Sequence, residues 1–178
     1  VQRIVDDMLA LDRYQREGVR LFVFDLRALL LSVLDDLRDR LAARDQTLNM
    51  EIIDEPLHIK GDPPQLKEAM SNLIDNAIKY TPDGGTITVR LRRNDTRICA
   101  YFAVQDTGYG IPEHLQARLF EPFYRAVSKD TEMIDGTGLG LHLVKNIVER
   151  HRGHINFTSV QGEGSTFYFE IPLAESQD

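Results

Sequence analysis

Residues 62–80, DPPQLKEAMSNLIDNAIKY, decide how the rest of this chain is interpreted. Asp62 can cap the N-terminus of a helix, and Pro63 suits the first helical turn because a backbone N–H there has no partner within the helix. Apolar residues then recur every three or four positions and predict one buried stripe, made of Leu66, Met70, Leu73 and Ala77. We therefore expect a long amphipathic helix that ends near Tyr80.

The other side of this predicted helix carries Glu68, Asn72, Asn76 and Lys79. Asparagine is a mediocre helix former, so two of them one turn apart are unusual. Amide oxygens beside a cation suit a polyphosphate with a bound metal ion. Taken alone, however, the pattern is more typical of a solvated helix face.

Alternating apolar residues predict strands in five further segments, namely 47–53, 86–92, 98–106, 154–160 and 165–171. A turn at Pro82, Gly84 and Gly85 leads into segments 86–92 and 98–106, which are predicted to form a hairpin. A turn at Gly162 and Gly164 joins 154–160 to 165–171 as a second hairpin. Helical spacing predicts helices at 26–41 and 139–152, and a separate one from the first residue to Gly18. The chain is thus expected to adopt an α+β fold in which helices cover one face of a sheet.

Asp106 follows an apolar strand and is succeeded by Thr107, Gly108, Tyr109 and Gly110, so the backbone is expected to turn sharply at a carboxylate. An ionised carboxylate only accepts hydrogen bonds. It would pair with the exocyclic amine of adenine and reject the carbonyl of guanine. A turn-capping aspartate is an equally good interpretation of this motif alone.

Gly136, Gly138 and Gly140 lead directly into a predicted helix, where free N–H groups and the helix dipole can receive phosphate oxygens. A dinucleotide-binding motif with spaced glycines opens the first helix after a strand. Here the glycines instead follow a long irregular segment late in the chain. This position argues against a dinucleotide-binding fold.

The composition argues against several classes of binding partner and against a membrane span. The chain has 21 basic and 28 acidic residues, a formal net charge of −7, so no broad positive field is available for nucleic acid or an anionic membrane. Cys99 is the only cysteine and stands in an apolar run, which predicts a buried thiol without a disulfide partner. No apolar run approaches the roughly 20 residues of a membrane span. A cytoplasmic domain is expected, with any membrane anchor outside this chain.

Four segments in this order resemble the histidine-kinase catalytic domain of the Bergerat ATPase superfamily: SNLIDNAIKY the N box, DTGYGIP the G1 box, LFEPFYR the F box, and GTGLGLHLVKNIVERHRG the G2 box. The resemblance covers about residues 20–174. It implies a two-layer sandwich of about five mixed strands and three helices, with a long mobile ATP lid at about 111–137. Asp135 departs from the pattern, since the family often has glycine there.

The resemblance also implies roles for polar residues around ATP and Mg²⁺. Asn72 would ligate Mg²⁺, Asn76 would support the phosphates and the metal, and Lys79 would neutralise phosphate charge. Tyr80 would pack on the adenine and Asp106 would bind its amine.

The glycine boxes and the lid receive further implied roles. Gly108 and Gly110 would let the backbone approach the nucleotide, next to Ile111. Phe120 and Phe123 would anchor the lid by hydrophobic packing, and Arg125 would stabilise charge on the transferring phosphoryl group. Gly136, Gly138 and Gly140 would hinge the lid and line the phosphates, and Thr137 and Leu139 would flank them. Leu141 would also belong to the nucleotide site.

The acceptor histidine of the family is missing, because none of the five histidines stands in a matching motif. All five are expected to be exposed or lightly packed. Residues 1–19 resemble the tail of the second dimerisation helix, and 20–178 the catalytic domain. The implied partners are the histidine-bearing dimerisation domain of the same parent protein and a response-regulator receiver domain. This chain is expected to be monomeric and the parent protein homodimeric.

Two alternatives stay open. A hydrolytic ATPase of the same superfamily would use Glu68, one turn before Asn72, as the general base that activates water. A non-catalytic module would bind ATP and signal only through changes in lid order.

Overall fold

The computed structural model describes residues 2–174. Its helices are α1 (Gln2–Glu17), α2 (Leu26–Ala43), α3 (Pro63–Tyr80) and α4 (Gly140–Arg150), with a 3-10 helix at Glu113–Arg118. Its strands are β1 (Phe22–Asp25), β2 (Thr47–Ile52), β3 (His58–Gly61), β4 (Thr86–Asn94), β5 (Cys99–Asp106), β6 (His154–Val160) and β7 (Gly164–Pro172). No helix in this part of the chain has both the length and the apolar character needed to cross a bilayer.

Five strands form the main sheet in the order β2-β4-β5-β7-β6. The β2–β4 pair is parallel and the other pairs are antiparallel, so the sheet is mixed. Helix α2 packs on β2, α3 on β4 and β5, and α4 on β6 and β7. The buried residues of helices and strands form one core cluster. The predicted α+β sandwich is confirmed, with three helices on one face of five strands.

A second, two-stranded sheet pairs β1 with β3 and was not predicted. Each strand has only four residues, too few for a clear alternation of apolar and polar side chains. Asp25 fixes the local geometry, because its Oδ1 accepts hydrogen bonds from the N–H groups of Arg27 and Leu57. The same side chain caps α2.

Helix α3 begins and ends where the sequence predicts. The Asp62 side chain accepts a hydrogen bond from the N–H of Gln65, and Pro63 occupies the first turn. The predicted apolar stripe is almost completely buried. Burying it against the sheet fixes the rotation of the helix and turns the opposite side, with its two asparagines, away from the core.

His151 is buried, with 4% of its surface exposed, so the expectation of an exposed or lightly packed histidine is wrong here. Its Nε2 accepts a hydrogen bond from the N–H of Asp62 at 2.9 Å, so Nδ1 carries the proton and donates to the carbonyl of Ile147 at 2.6 Å. Burial lowers the pKa of the imidazole. The ring therefore joins the end of α4 to the N-cap of α3.

Helix α1 docks on the domain with an unexpected face. Ala10 and Tyr14 are buried and Leu11 packs partly buried against the core, whereas the other apolar residues whose helical spacing predicts this helix remain exposed, namely Ile4, Val5, Met8 and Leu9. The helix stops before Gly18, which has a φ of +70°, a backbone conformation that glycine adopts readily. These four exposed apolar residues thus lie outside the core of this domain.

Candidate nucleotide-binding site

A cavity opens between α3, the ends of β5 and β7, the segment 110–138 and the first turn of α4. Its walls combine apolar side chains with a few polar groups, which is usual for sites that bind small molecules. Of the residues predicted to form a site, the cavity is lined by Asn72, Asn76, Lys79, Tyr80, Asp106, Gly110, Ile111, Arg125, Gly136, Thr137, Gly138, Gly140 and Leu141.

Asp106 lies at one end of this cavity, at the last position of β5, and is 8% exposed. Its Oδ1 accepts hydrogen bonds from the N–H groups of Gly108 at 2.9 Å and Ser165 at 3.2 Å. Burial raises the pKa of this carboxyl to about 6, although these two bonds act in the opposite direction. Its Oδ2 has no donor among residues 2–174, so it can accept a hydrogen bond from a ligand.

The turn after Asp106 is held by close backbone contacts. The N–H of Tyr109 donates to the carbonyl of Tyr80, and the N–H of Gly162 donates to the carbonyl of Tyr109. A Cβ on Gly108 would lie 2.2 Å from the Tyr80 carbonyl oxygen. Gly108 therefore packs against α3 and does not line the cavity, although its predicted role was to let the backbone approach the nucleotide.

Two glycines leave space at the other end of the cavity. A Cβ on Gly140 would lie 3.2 Å from Oδ1 of Asn72, and a Cβ on Gly136 would lie 3.3 Å from Nε of Arg125 and 3.6 Å from Nζ of Lys79. The Nδ2 of Asn72 donates to the carbonyl of Glu68, which leaves its Oδ1 available to a cation. The amide oxygen of Asn72 thus lies next to Gly140, and the cations of Arg125 and Lys79 lie next to Gly136.

The cations at this end are close enough to influence one another. Burial lowers the pKa of Lys79, the neighbouring Arg3 lowers it further, and Arg125 and Arg40 contribute in the same direction, while Asp75 raises it. The Nε of Arg125 is buried without an acceptor in the part of the chain that the structure describes. A buried donor and clustered positive charge suit an anionic ligand.

Three predicted residues lie elsewhere. They are Gly108, Leu139 and Phe123. Leu139 is buried, and its N–H donates to Oγ1 of Thr137 at 3.2 Å. Phe123 is 59% exposed, so the prediction that its ring packs on the core is wrong. Its backbone makes the contact instead, because its N–H donates to the carbonyl of Gly138 at 2.9 Å. Phe120 packs as expected, with its ring centre 5.8 Å from that of Phe157.

Sequence reasoning missed several residues that line the cavity. Ser165 lies opposite Asp106 in the β5–β7 pair, a pairing that two separate hairpin predictions do not reveal. Arg3 and Asp7 come from α1, and their spacing of four residues was the only available sign that they share a helix face. The other missed lining residues are Leu73, Ala77, Val104, Leu119, Tyr124, Ala126, Thr131 and Phe167.

Residues 61–175 match the family described as histidine kinase-, DNA gyrase B-, and HSP90-like ATPases. The chain belongs to this ATPase family. Among its relatives, the sensor histidine kinase AtsR of Burkholderia thailandensis is 39% identical over 84% of this chain and 25% of its own length. The chain spans about a quarter of the length of the first curated relatives that it matches.

Solved structures agree with this assignment. The mycobacterial sensor histidine kinase MprB has a TM-score of 0.74 and 28% identity, covering 86% of this chain and 98% of that structure. Full-length ShkA in complex with AMPPNP has a TM-score of 0.82 and 26% identity, covering 98% of this chain and 36% of that structure. Within the ATPase family, this chain is a catalytic domain of the histidine kinase type.

Proposed function

We propose that this domain binds ATP and Mg²⁺ in the cavity and transfers the γ-phosphoryl group to a histidine on a separate dimerisation domain of its parent protein. The observation that carries the proposal is the polarity of the cavity. A buried carboxylate, Asp106, precedes the turn that is bound to the last residue of α3, and the amide oxygen of Asn72 lies eight residues earlier on that helix, about 12 Å along its axis. Two cations, Lys79 and Arg125, lie near Gly136. An adenine nucleotide has the matching order of groups, with an amine at one end and phosphates at the other.

The Asp106 end would hold the base. With Oδ1 occupied by two backbone N–H groups, Oδ2 is the atom that would accept a hydrogen bond from the adenine amine. Guanine has a carbonyl at this position, which would repel the ionised carboxylate. The lining residues Ile111 and Leu141, both partly buried against the core, would contact the faces of the base.

The other end would hold the phosphates. Mg²⁺, when bound, would withdraw charge from the phosphate oxygens. Asn72 would offer it Oδ1, since its Nδ2 is already used by the Glu68 carbonyl. No group of three His, Cys, Asp or Glu side chains among residues 2–174 could hold a metal ion. The metal would therefore be bound together with the nucleotide, as Mg²⁺ usually is.

Lys79 and Arg125 would then stabilise the reaction. They would balance charge on the γ-phosphoryl group while the acceptor imidazole forms a P–N bond and the bond to the bridging oxygen of ADP breaks. Arg125 is the stronger candidate because its buried Nε has no acceptor in the described chain. Its guanidinium is already oriented by a hydrogen bond to the Ile134 carbonyl.

The remaining parts of the proposal concern the parent protein. Residues 1–19 would be the tail of its second dimerisation helix, and the exposed apolar side of α1 would pack within that dimerisation domain. The parent would be a homodimer, would act where cytoplasmic ATP is available, and would pass the phosphoryl group to an aspartate of a response-regulator receiver domain.

The structure gives less support to a hydrolase. Glu68 does not line the cavity, and its Oε2 accepts a hydrogen bond from the Tyr14 hydroxyl at 2.6 Å. A general base has to reach the water that it activates, and this carboxylate is directed at α1 instead.

The test mixes this domain with γ-labelled ATP, Mg²⁺ and the histidine-bearing hairpin of its own parent protein, and separates protein-bound label from free phosphate. Acid-labile, base-stable label on the hairpin is the expected result, lost on Arg125→Gln and kept on Glu68→Gln. Free phosphate alone, abolished by Glu68→Gln, would establish a hydrolase. Bound ATP without either product would establish a non-catalytic module.

A further inference from the structure

One face of α1 is directed at the catalytic domain and carries Arg3, Asp7, Ala10 and Tyr14, spaced by three or four residues. Ala10 and Tyr14 are the buried positions that seat the helix. Tyr14 binds α3 through its hydroxyl and α4 through its carbonyl, which accepts a hydrogen bond from Arg150. These contacts fix the C-terminal half of α1, and its N-terminal half carries the two residues that reach the cavity wall.

Arg3 and Asp7 both line that cavity. Asp7 is bound to the lid, since its Oδ2 accepts a hydrogen bond from the Thr137 hydroxyl at 2.9 Å. Arg3 pairs with Asp75 on α3. A helix outside the predicted catalytic domain thus contributes two charged side chains to the wall of the site.

The carboxylate that pairs with Arg3 is also neutralised by a second arginine. Asp75 is almost buried and pairs with two guanidinium groups, those of Arg3 and Arg40. Arg40 does not line the nucleotide cavity, whereas Arg3 does. The Arg3 side chain is 56% exposed, so it can rotate away while Arg40 continues to neutralise the carboxylate. Of the two arginines that pair with Asp75, Arg3 is therefore the one that can bind a ligand in the cavity.

The surrounding charge favours an anion as that ligand. Four cations, Arg3, Arg40, Lys79 and Arg125, lie around two carboxylates, Asp7 and Asp75, so positive charge is in excess. Arg3 is near enough to Lys79 to lower the pKa of its amine. A planar guanidinium can bind two phosphate oxygens at once.

We propose that Arg3 binds the terminal phosphate of ATP, so that helix α1 senses whether the bound nucleotide is a triphosphate. The inference rests on the proposed nucleotide site. It assigns to a residue outside the N, G1, F and G2 boxes a direct contact with the substrate. Since ADP lacks the γ-phosphate, replacing ATP by ADP would return Arg3 to Asp75 and change how α1 is held.

Affinities for ATP, ADP and adenosine, measured by titration calorimetry with Mg²⁺ for the wild type and for Arg3→Gln, test this proposal. Arg16→Gln is the matched control, because Arg16 is an exposed arginine of the same helix that pairs only with Asp12 in the described chain. We expect Arg3→Gln to weaken ATP binding about five-fold or more, ADP binding about two-fold, and adenosine binding not at all. Arg16→Gln should leave all three unchanged.

Equal losses for ATP, ADP and adenosine would mean that Arg3 only seats the helix, and the proposal would be wrong. An unchanged or higher ATP affinity in Arg3→Gln would overturn it as well. If the wild type itself bound no ATP, the proposed function would fail, and this result is distinct from a failure of Arg3 alone. Thermal melting of each variant confirms that α1 has not unfolded the domain.

Discussion

The carboxylate of Asp106 accepts a hydrogen bond from the backbone N–H of Ser165 at 3.2 Å, across the β5–β7 pair in which these residues lie opposite each other. A second bond from Gly108 reaches the same oxygen. The sheet and the turn together fix the orientation of this carboxylate. Its other oxygen is therefore positioned before any base is bound, which lowers the entropic cost of recognition.

ATP binding should depend on the charge of Asp106. Burial raises the pKa of this carboxyl to about 6. Because Oδ1 already accepts from two backbone N–H groups, a proton would sit on Oδ2 and turn a donor toward the adenine amine, which weakens their pairing. The affinity should therefore fall as the pH is lowered through 6, approaching a ten-fold loss per pH unit. Calorimetric titrations between about pH 5 and 8 measure this. Asp106→Asn is the control, since any slope that it retains comes from groups other than this carboxyl, the phosphates among them.

The stability of the domain should fall in acid because of His151. Its pKa in the folded state lies below the ordinary 6.5, so the unfolded chain binds more protons as the pH falls below that value, and unfolding is favoured. Denaturant melts of His151→Gln should show a lower free energy of unfolding at neutral pH, by about 1–2 kcal/mol, and a shallower dependence on pH. His154→Gln, at an exposed position, should keep the wild-type slope.

Gly140 and Gly138 should respond differently to alanine. A Cβ on Gly140 would meet only Oδ1 of Asn72, at 3.2 Å, so Gly140→Ala should leave the melting temperature unchanged and weaken binding of ATP with Mg²⁺ several-fold. Gly138 has a φ of +75°, and its Cβ would lie 2.5 Å from the Phe123 backbone. Gly138→Ala should therefore destabilise the domain, by about 1–2 kcal/mol. If Gly140→Ala lowered the melting temperature as much as Gly138→Ala does, or left the ATP affinity unchanged, the placement of Gly140 at the metal and phosphate site would be wrong.

The sequence predicts best where a periodic pattern and a capping residue coincide. Helix α3 has both, through its apolar stripe and through Asp62, so its bounds and its polar side could be predicted. In the lid, where no period is sustained, Phe120 and Phe123 could not be distinguished, although one packs and the other is exposed.

Contacts between distant segments could not be predicted. The docking of α1 depends on Tyr14 meeting Glu68, 54 residues away, and this contact brings Arg3 and Asp7 to the cavity. Four of the five apolar residues whose spacing predicts this helix remain exposed, because the pattern does not reveal which partner they would meet. The buried position of His151 likewise depends on Asp62, which lies 89 residues away.

If the cavity is an adenine-nucleotide site, Asp106 is the residue that recognises the base. Asp106→Asn preserves the shape of the side chain and the acceptor for Gly108 and Ser165, but it can present an amide donor to the ligand. The folded protein should not lose stability at neutral pH. Because the pKa of Asp106 is raised above 3.8, its charge costs stability once the pH exceeds that value, and asparagine removes this cost.

The most direct measurement is the affinity of wild type and Asp106→Asn for ATP and for GTP, at neutral pH with Mg²⁺. We predict that the wild type binds ATP far more tightly than GTP, and that Asp106→Asn loses at least about ten-fold in ATP affinity, so that its preference for ATP largely disappears. A folded Asp106→Asn variant that binds ATP as tightly as the wild type, with the same preference over GTP, would contradict the account.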